Sequence, residues 1–481
     1  MRPHETHEAP RDQDGAPDDR RGTAGGAMRR RAFAVGAAGG LLAAAGCGAS
    51  DDDASGAGGG FGRAARGRSG DPIVLTVLSH YASDPLKSAL QGAVDAWNAT
   101  HDRVKVRTTA VKFTDLLTTY MVRQAAGQGA DILHPYCLWT GQLAQARVLR
   151  PAPADAARQI RQEFSPAAVT ASSVNGTVYG YPTEVQTYAL YYNKRLLRKA
   201  GLHGPPRTVR ELEEMAYRTA RRDRHGNTLV QGYGLSRADD STVVGQTLAL
   251  LAARGGTFLT PDGRRAAIGS AVGRDVLDLE RRLIARRASD SAIALFKAFP
   301  SGQVAMAING GWWTGSLRSV MGEGYRDIGT APVPGLTPAA RGTLATGFLL
   351  GVNARSRHPD EAWEFLRWLN TGTVPTRAGS GTTKRVAVTR MSALQVSVGS
   401  MTGRADDMQA LLGKGSGSDP NLGPFLDALH YAVPEPNGPR AQKAKSLLRK
   451  NIEAVWTGHR SVDEALRITS RQVDQELSRP G

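Results

Sequence analysis

Short apolar runs alternate with helical stretches from Ile73 onward, and this alternation restricts the fold more than any other feature of the chain. The runs at 73–78, 104–107 and 131–133 predict buried strands, and the segments at 85–98 and 113–126 carry apolar residues at helical spacing. Strand, helix, strand, helix and strand in succession predict a parallel α/β sheet. Ligands of open sheets lie beyond the carboxyl ends of the strands, which here are the loops at 79–83 and 134–139.

The chain is long enough after Ile73 to form more than one core. It has 481 residues, and single hydrophobic cores rarely extend beyond about 250–300 residues. The formal charge of +17 raises a nucleic-acid hypothesis. The arginines, however, are scattered along helical stretches, and no basic block alternates with aromatic residues. The chain length therefore predicts two lobes. The charge favours a cationic surface near an anionic membrane or wall, and no nucleic-acid partner is expected.

The N-terminal segment has the pattern of an export signal. Arginines at 29–31 precede a Gly/Ala/Leu run at 34–46, which is shorter than the roughly 20 residues that cross a bilayer. The run ends at Cys47 and resembles a lipoprotein signal, in which that cysteine carries the lipid, although Ala44 stands where such signals usually have Leu. The arginine pair at 30–31 also resembles a twin-arginine signal. Residues 1–46 are therefore predicted to be the signal peptide and Cys47 the lipidation site, with an ordinary secreted protein that is cut nearby as the alternative to lipidation.

Residues 47–71 are predicted to be a flexible tether, because they are rich in Gly, Ala, Ser and Asp and cannot bury enough apolar surface to fold. Cys137 is the only cysteine besides Cys47, so the sequence predicts no internal disulfide. The apolar surroundings of Cys137 in the sequence predict a buried, inert thiol.

Ordered segments between about residues 72 and 478 resemble the extracellular solute-binding proteins of ABC importers, in the maltose-binding-like carbohydrate group, family 1. The segments that carry the resemblance lie at 131–132, 181–182, 190–194, 197–208, 301–312, 359–366 and 464–466. The resemblance implies an α/β, two-lobed periplasmic-binding-protein-like fold of type II, with a ligand cleft between lobes that are joined by crossing strands. It also implies that lobe one is 72–183 plus about 344–400, and that lobe two is 184–343 plus about 401–481.

The same resemblance implies a function. The protein would be a monomeric, lipid-anchored receptor on the extracellular face of the membrane that binds a sugar or oligosaccharide and delivers it to an ABC permease. No enzyme activity and no cofactor are expected. Two alternatives stay open: a secreted polysaccharide-active hydrolase that uses Glu184, and a binding protein that only senses its ligand. Neutral oligosaccharides are favoured, while the excess of arginine leaves sugar acids and phosphorylated ligands open.

Several residues are candidates for ligand binding. Trp312 follows a Gly pair at a strand end, matches the family's stacking position and can stack on the apolar face of a sugar. For the neighbouring Trp313, packing in the core is the alternative to ligand binding. The strand after Pro182 places three alternating polar residues on one side, and loop positions add four more. The full set is Trp312, Trp313, Gln186, Glu184, Tyr188, Trp139, Tyr136, Tyr81 and Arg390.

Catalytic and metal-binding patterns are not recognisable in the sequence. No Gly-x-Ser-x-Gly, His-Glu-x-x-His or phosphate-loop motif occurs, and the ten histidines show no metal-ligand spacing. The sequence therefore predicts no metal site.

Overall fold

A computed structural model describes residues 71–237, 240–377, 383, 385–412 and 419–479. The signal peptide, Cys47 and all of the tether except Asp71 lie outside the described residues. Within the described part of the chain, no helix combines the length and the apolar character needed to span a bilayer. The strands are β1 Ile73–Ser79, β2 Val104–Ala110, β3 Ile132–Leu133, β4 Ser173–Val174, β5 Thr177–Val178, β6 Tyr181–Asn193, β7 Arg221–Arg222, β8 Thr228–Tyr233, β9 Val304–Gly310, β10 Ile328–Ala331, β11 Thr343–Val352, β12 Thr373–Arg377, β13 Arg385–Thr389 and β14 Ala432–Pro434.

The helices connect these strands and cover the sheet. They are α1 Leu86–Asn98, α2 Phe113–Ala125, α3 Thr140–Gln145, α4 Ala154–Glu163, α5 Pro166–Ala171, α6 Lys194–Lys199, α7 Val209–Thr219, α8 Asp240–Ala253, α9 Ala271–Ala285, α10 Leu295–Ala298, α11 Trp313–Met321, α12 Pro359–Thr371, α13 Arg390–Ser397, α14 Ala405–Leu412, α15 Gly423–Ala428, α16 Ala441–Trp456 and α17 Val462–Leu477. The Gly/Ser-rich stretch at 401–423, whose composition is typical of a loop or of a crossing between lobes, contains α14.

One sheet runs through the described residues in the order β2-β1-β3-β11-β6-β9-β8-β7, with β10 paired to β6 and β14 to β11. The predicted parallel unit is confirmed, since β1 runs parallel to both β2 and β3. The long strand β6 changes partner along its length: Tyr181–Thr187 pair with β11, whereas Tyr188–Tyr192 pair with β9. β6 and β11 therefore carry the chain across the middle of the sheet.

Two large hydrophobic cores lie along this sheet. One contains Trp97, Ile160, Phe365 and other side chains from β1, β2, α1, α4 and α12. The other is formed by α7, α8, α9, α16 and α17 around β8 and β9. The helices bury one apolar face each, which explains why their apolar residues recur at helical spacing.

Candidate functional site

The carboxyl ends of β1 and β3 form one wall of the candidate site. These strands pair in parallel, with Leu78 opposite Leu133, so the residues that follow them lie side by side. Ser79 Oγ is 2.9 Å from Nδ1 of His134. His80 and Tyr81 continue from β1, and their rings contact the ring of His134 at centroid distances of 4.7 and 4.9 Å.

Strand β6 supplies the floor of the candidate site. Glu184, Gln186 and Tyr188 alternate along it as predicted, and all three are buried. Val185 and Thr187 on the opposite face are buried as well. Alternation of polar residues is also typical of a strand with one solvated face. Both faces of β6 are covered, so β6 is not such a strand.

The Glu184 carboxylate is surrounded by hydrogen-bonding side chains. Tyr81 Oη donates to Oε2 over 3.0 Å, and Gln395 Nε2 donates to the same oxygen over 3.3 Å. His80 Nε2 lies 3.4 Å from Oε1, and His134 Nε2 lies 3.6 Å from Oε2. Burial alone would raise the pKa of Glu184, but the hydrogen bonds with His134 and His80 outweigh burial and hold that pKa well below the usual carboxyl range. Glu184 is therefore an anion at neutral pH.

Trp312 lies at the end of β9, next to the middle of β6. Its side chain is 39% exposed, an unusual exposure for so large an apolar ring, and it packs on Phe296 with ring centroids 5.5 Å apart. The ring also covers Gly310, where an added Cβ would lie 2.8 Å from Trp312 Nε1 and 3.8 Å from the Tyr188 ring. Only glycine allows this approach, so Gly310 brings Trp312 and Tyr188 together.

Trp313 is placed differently. It begins α11, it is 2% exposed, and its ring packs against Phe299 and Tyr191 at centroid distances of 4.8 and 5.0 Å. Its ring offers no open face to a solute in this structure. Trp313 therefore packs in the core, which was the alternative to ligand binding.

Tyr136 and Trp139 are buried in the turn after β3 and bond to residues far along the chain. Tyr136 Oη donates to Glu435 Oε2 over 2.5 Å and accepts from the Thr346 hydroxyl over 2.6 Å. Trp139 Nε1 donates to Gln442 Oε1 over 2.8 Å. Lys445, also buried, pairs with Glu435 Oε1 at 2.6 Å. Cys137, between the two aromatic residues, is a buried free thiol as predicted.

Arg390 is not brought to this cluster. Its guanidinium lies 4.2 Å from the centroid of the Trp368 ring, and its Nη1 donates to the Trp368 carbonyl. The helix that it begins, α13, reaches the site through Gln395 instead, which also donates to Tyr81 Oη over 2.9 Å.

Several buried polar atoms around β6 and β9 have no partner in the described residues. They include Gln186 Oε1, Asn309 Nδ2 and both side-chain polar atoms of Gln246. Gln186 Nε2 donates to Ser400 Oγ over 2.6 Å, so only its oxygen is unpaired. Buried polar groups are nearly always hydrogen-bonded, and a bound polar solute is one way to satisfy such atoms.

Three cavities of about 660, 730 and 740 Å³ are lined by other residues. The first is bordered by Leu248, Phe258 and Glu435, and the third by Phe296, the residue on which Trp312 packs. None of these three cavities includes a residue predicted from the sequence to bind ligand. The exposed Trp312 ring and the unpartnered polar atoms, rather than a cavity, therefore identify the candidate site.

Sequence reasoning missed His80, His134, Gln395, Glu435, Gln442 and Lys445. The two histidines were discounted because they are far apart in the sequence. A usable signal was present, since each directly follows a strand of the predicted parallel pair, and such strand ends lie together. The other four residues come from helices and segments whose position on the sheet no local pattern indicates.

The fold and site define a class: an α/β protein of two lobes, each with its own core, joined by strands that cross between them. The described architecture is that of solved solute-binding proteins. The structure of the cyclic α-maltosyl-1,6-maltose binding protein of Arthrobacter globiformis matches with a TM-score of 0.68 and 22% identity, over 84% of this chain and 99% of that one. The Thermotoga lettingae ABC transporter solute-binding protein, solved with α-D-tagatose, matches with a TM-score of 0.70 and 20% identity, over 84% and 100%.

Sequence comparison assigns the family. The chain belongs to the bacterial extracellular solute-binding protein family, whose profile matches residues 83–371. A maltotriose-binding protein of Pyrococcus abyssi is 23% identical over 263 residues, which are 53% of this chain and 54% of that protein. A probable ABC transporter-binding protein of Deinococcus radiodurans is 26% identical over 286 residues, 57% of this chain and 67% of that one. The chain thus matches about half to two thirds of these relatives' lengths.

Proposed function

We propose that this protein is the receptor of an ABC importer and binds a sugar or oligosaccharide in the cleft between its lobes. The observation that carries the proposal is the exposed Trp312 ring at the end of β9, together with the buried, unpartnered Gln186 Oε1, which would lie 3.2 Å from a Cβ at nearby Gly311. An aromatic face stacks on the C–H face of a pyranose, and amides pair with its hydroxyls. Relatives named for maltotriose and for maltosyl-maltose support a sugar as the solute.

Export and anchoring belong to the same proposal. The family is extracellular by its description, and the lipoprotein-like signal that ends at Cys47 supports attachment to the outer face of the membrane. A tether at 47–71 would let the folded part reach a permease while the lipid stays in the bilayer. Delivery to that permease, and a monomeric state, are part of the proposal.

The hydrolase alternative receives less support. Glycoside hydrolysis uses two carboxyl groups about 5–10 Å apart, one of them protonated to act as an acid. Glu184 is held ionised, and the side chains that contact it in the described structure are tyrosine, histidine and glutamine. This environment suits an anion with a structural role or an ion-binding role.

Thermal unfolding of the purified protein against a panel of mono- and oligosaccharides tests the proposal. A ligand that binds only the folded state at 100 times its Kd adds about 2.7 kcal/mol of stability. We expect one sugar class to raise the unfolding temperature of the wild type, and Trp312→Ala to abolish that rise. Trp368→Ala is the matched control, since that ring is also partly exposed but packs with Trp97 and Arg390.

Two results would contradict the proposal. No shift with any sugar, while the protein remains folded by circular dichroism, would remove the sugar as the solute. A shift of equal size in Trp312→Ala and in the wild type would remove stacking on Trp312 from the mechanism.

A further inference from the structure

Three potential metal ligands meet at the wall of the site, although they are separated in the sequence. His80 follows β1, His134 follows β3, and Glu184 lies on β6. One ligand atom from each residue can be chosen so that all three atoms lie within 4.8 Å of one another. The proposed sugar-binding role does not require this arrangement.

The distances between these atoms suit a single ion. Ligand atoms that surround a tetrahedral zinc ion at about 2.1 Å are about 3.4 Å apart from one another. His80 Nε2 lies 3.4 Å from Glu184 Oε1, and His134 Nε2 lies 3.6 Å from the other carboxylate oxygen, Oε2, so an ion between the two rings would be held by the carboxylate through both oxygens. His134 Nε2 is also 2.9 Å from Thr183 Oγ1, a hydrogen bond that a bound ion would replace.

The charges in the cluster favour a cation. The buried carboxyl group of Glu184 has an imidazole nitrogen close to each of its two oxygens. Neutral imidazole and ionised carboxylate are the forms that bind metals. A buried carboxylate needs a counter-charge, and an ion between these three side chains would supply it.

Neighbouring side chains hold the three ligands in place. Ser79 Oγ lies 2.9 Å from His134 Nδ1, which allows that nitrogen to donate and leaves Nε2 free to bind. Tyr81 and Gln395 hydrogen-bond to Glu184. The His80 ring stacks on Phe348 with centroids 3.8 Å apart. Such surrounding contacts are typical of metal sites, where they orient the ligands and set their basicity.

We propose that His80, His134 and Glu184 bind one divalent transition-metal ion of the Zn²⁺ type. Two imidazoles and one carboxylate select such ions over Mg²⁺ and Ca²⁺, which prefer oxygen ligands. A water molecule or Tyr81 Oη, which already lies 3.0 Å from Glu184 Oε2, would complete the coordination. The ion would join the ends of β1 and β3 to the crossing strand β6. This site goes beyond the proposed sugar binding and does not depend on it.

Metal titration of the full protein tests the proposal. Bound metal is first removed from the protein with a chelator. Zn²⁺ binding is then measured by calorimetry and by competition with a chromogenic chelator. The visible absorption of bound Co²⁺ reports the coordination geometry. We expect one ion per chain, and we expect Zn²⁺ to raise the unfolding temperature. His134→Gln and Glu184→Gln should both lose this binding, while His203→Ala, an exposed histidine outside the cluster, should keep it.

A milder variant separates a direct role from misfolding. Ser79→Ala removes the hydroxyl that orients His134 and that accepts the Tyr81 N–H over 3.1 Å, and it should weaken Zn²⁺ binding by about 10- to 100-fold, as changes around metal ligands usually do. Folding of every variant is checked by circular dichroism. If the folded wild type binds no Zn²⁺, or if His134→Gln and Glu184→Gln bind it unchanged, the proposal is overturned. Sugar-induced stabilisation, measured on the chelator-treated protein, reports on the proposed function separately.

Discussion

At the scale of single residues, Glu280 shows how burial can outweigh hydrogen bonds in setting the pKa of a group. It lies on α9 in the second core, where the Trp456 indole donates to one carboxyl oxygen over 2.8 Å. The Thr247 hydroxyl is 2.8 Å from the other oxygen and 3.2 Å from the Val243 carbonyl. Both the Thr247 hydroxyl and the Trp456 indole donate to Glu280, and these hydrogen bonds favour its ionised form. Burial raises the pKa of Glu280 to about 7, against the opposing hydrogen bonds.

This pKa predicts a pH-dependent stability. The folded state binds the Glu280 proton more tightly than the unfolded chain, whose pKa is near 4.5. The free energy of unfolding should therefore fall as pH rises from 4.5 to about 7, and level off above that. Between pH 5 and pH 8 the wild type should lose about 2–3 kcal/mol more than Glu280→Gln. Urea unfolding of both proteins at the two pH values measures this difference.

The matched control is Glu214→Gln, which changes an exposed carboxylate on α7 and should follow the wild type. An identical pH dependence in Glu280→Gln and the wild type would show that Glu280 does not titrate in this range.

The tandem tryptophans illustrate the same scale. Trp312 and Trp313 have similar chemistry and adjacent positions, yet one is 39% exposed and the other 2%. The start of α11 turns the two rings in different directions, since Trp313 is its first residue and Trp312 precedes it. The sequence made both tryptophans candidates for ligand binding, but the start of α11 buries the Trp313 ring and leaves the Trp312 ring exposed.

At the scale of elements, the close approach of β11 to β6 depends on Gly347. Gly347 borders the irregularity in the pairing of the two strands, where the register shifts between Gly347 and Leu349. A Cβ added at Gly347 would lie 2.2 Å from the Glu184 carbonyl oxygen, which is backbone and cannot move away alone. The glycine therefore lets the two crossing strands pair beside the candidate site.

Gly347→Ala should destabilise the protein by about 1–3 kcal/mol, because the added methyl group overpacks the strand contact. Gly92→Ala is the matched comparison, since nothing lies within 4 Å of a Cβ at that position on α1. That exchange should stabilise the helix by up to about 1 kcal/mol. Urea unfolding of both variants measures the effects, and equal stabilities would contradict the role assigned to Gly347.

The helix starts were only partly predictable from local sequence. Thr208 and Glu211 have the Thr-x-x-Glu spacing of a reciprocal capping box. Thr208 Oγ1 does accept from the Glu211 N–H over 3.2 Å. The Glu211 carboxylate, however, accepts from the N–H of Arg207 instead of that of Thr208. Helix α1 likewise begins at Leu86, one residue after the proline expected to open it, and Asp84 Oδ1 accepts from the Ser88 N–H.

At the scale of the whole molecule, the crossing strands and a few bonds between distant segments connect the two halves. Tyr136 and Trp139, which follow β3, bond to Glu435 and Gln442 near the start of α16. Helix α16 packs in the core around β8 and β9, whereas β3 belongs to the parallel unit of β1, β2 and β3. Hinge closure around a ligand changes bonds of this kind while each core stays intact.

We expect a saturating sugar to reduce the radius of gyration measured by small-angle scattering, because closure brings the lobes together around the ligand. The same sugar concentration should leave Trp312→Ala unchanged. Binding detected by calorimetry without any change in scattering would show that ligand binds without closure.

Local patterns in the sequence predicted the alternation of strands and helices between residues 73 and 133, the parallel unit of β1, β2 and β3, and the family, because apolar periodicity and motif order are local properties. The pairing of β6 with β11 and β9, the burial of Trp313 and the contacts of Arg390 were decided only by the tertiary structure. The cluster of His80, His134 and Glu184 is the clearest case. The two histidines follow neighbouring parallel strands and could have been placed side by side from the sequence. Only the arrangement of β6 in the sheet brings Glu184 to them, and no local pattern indicates that arrangement.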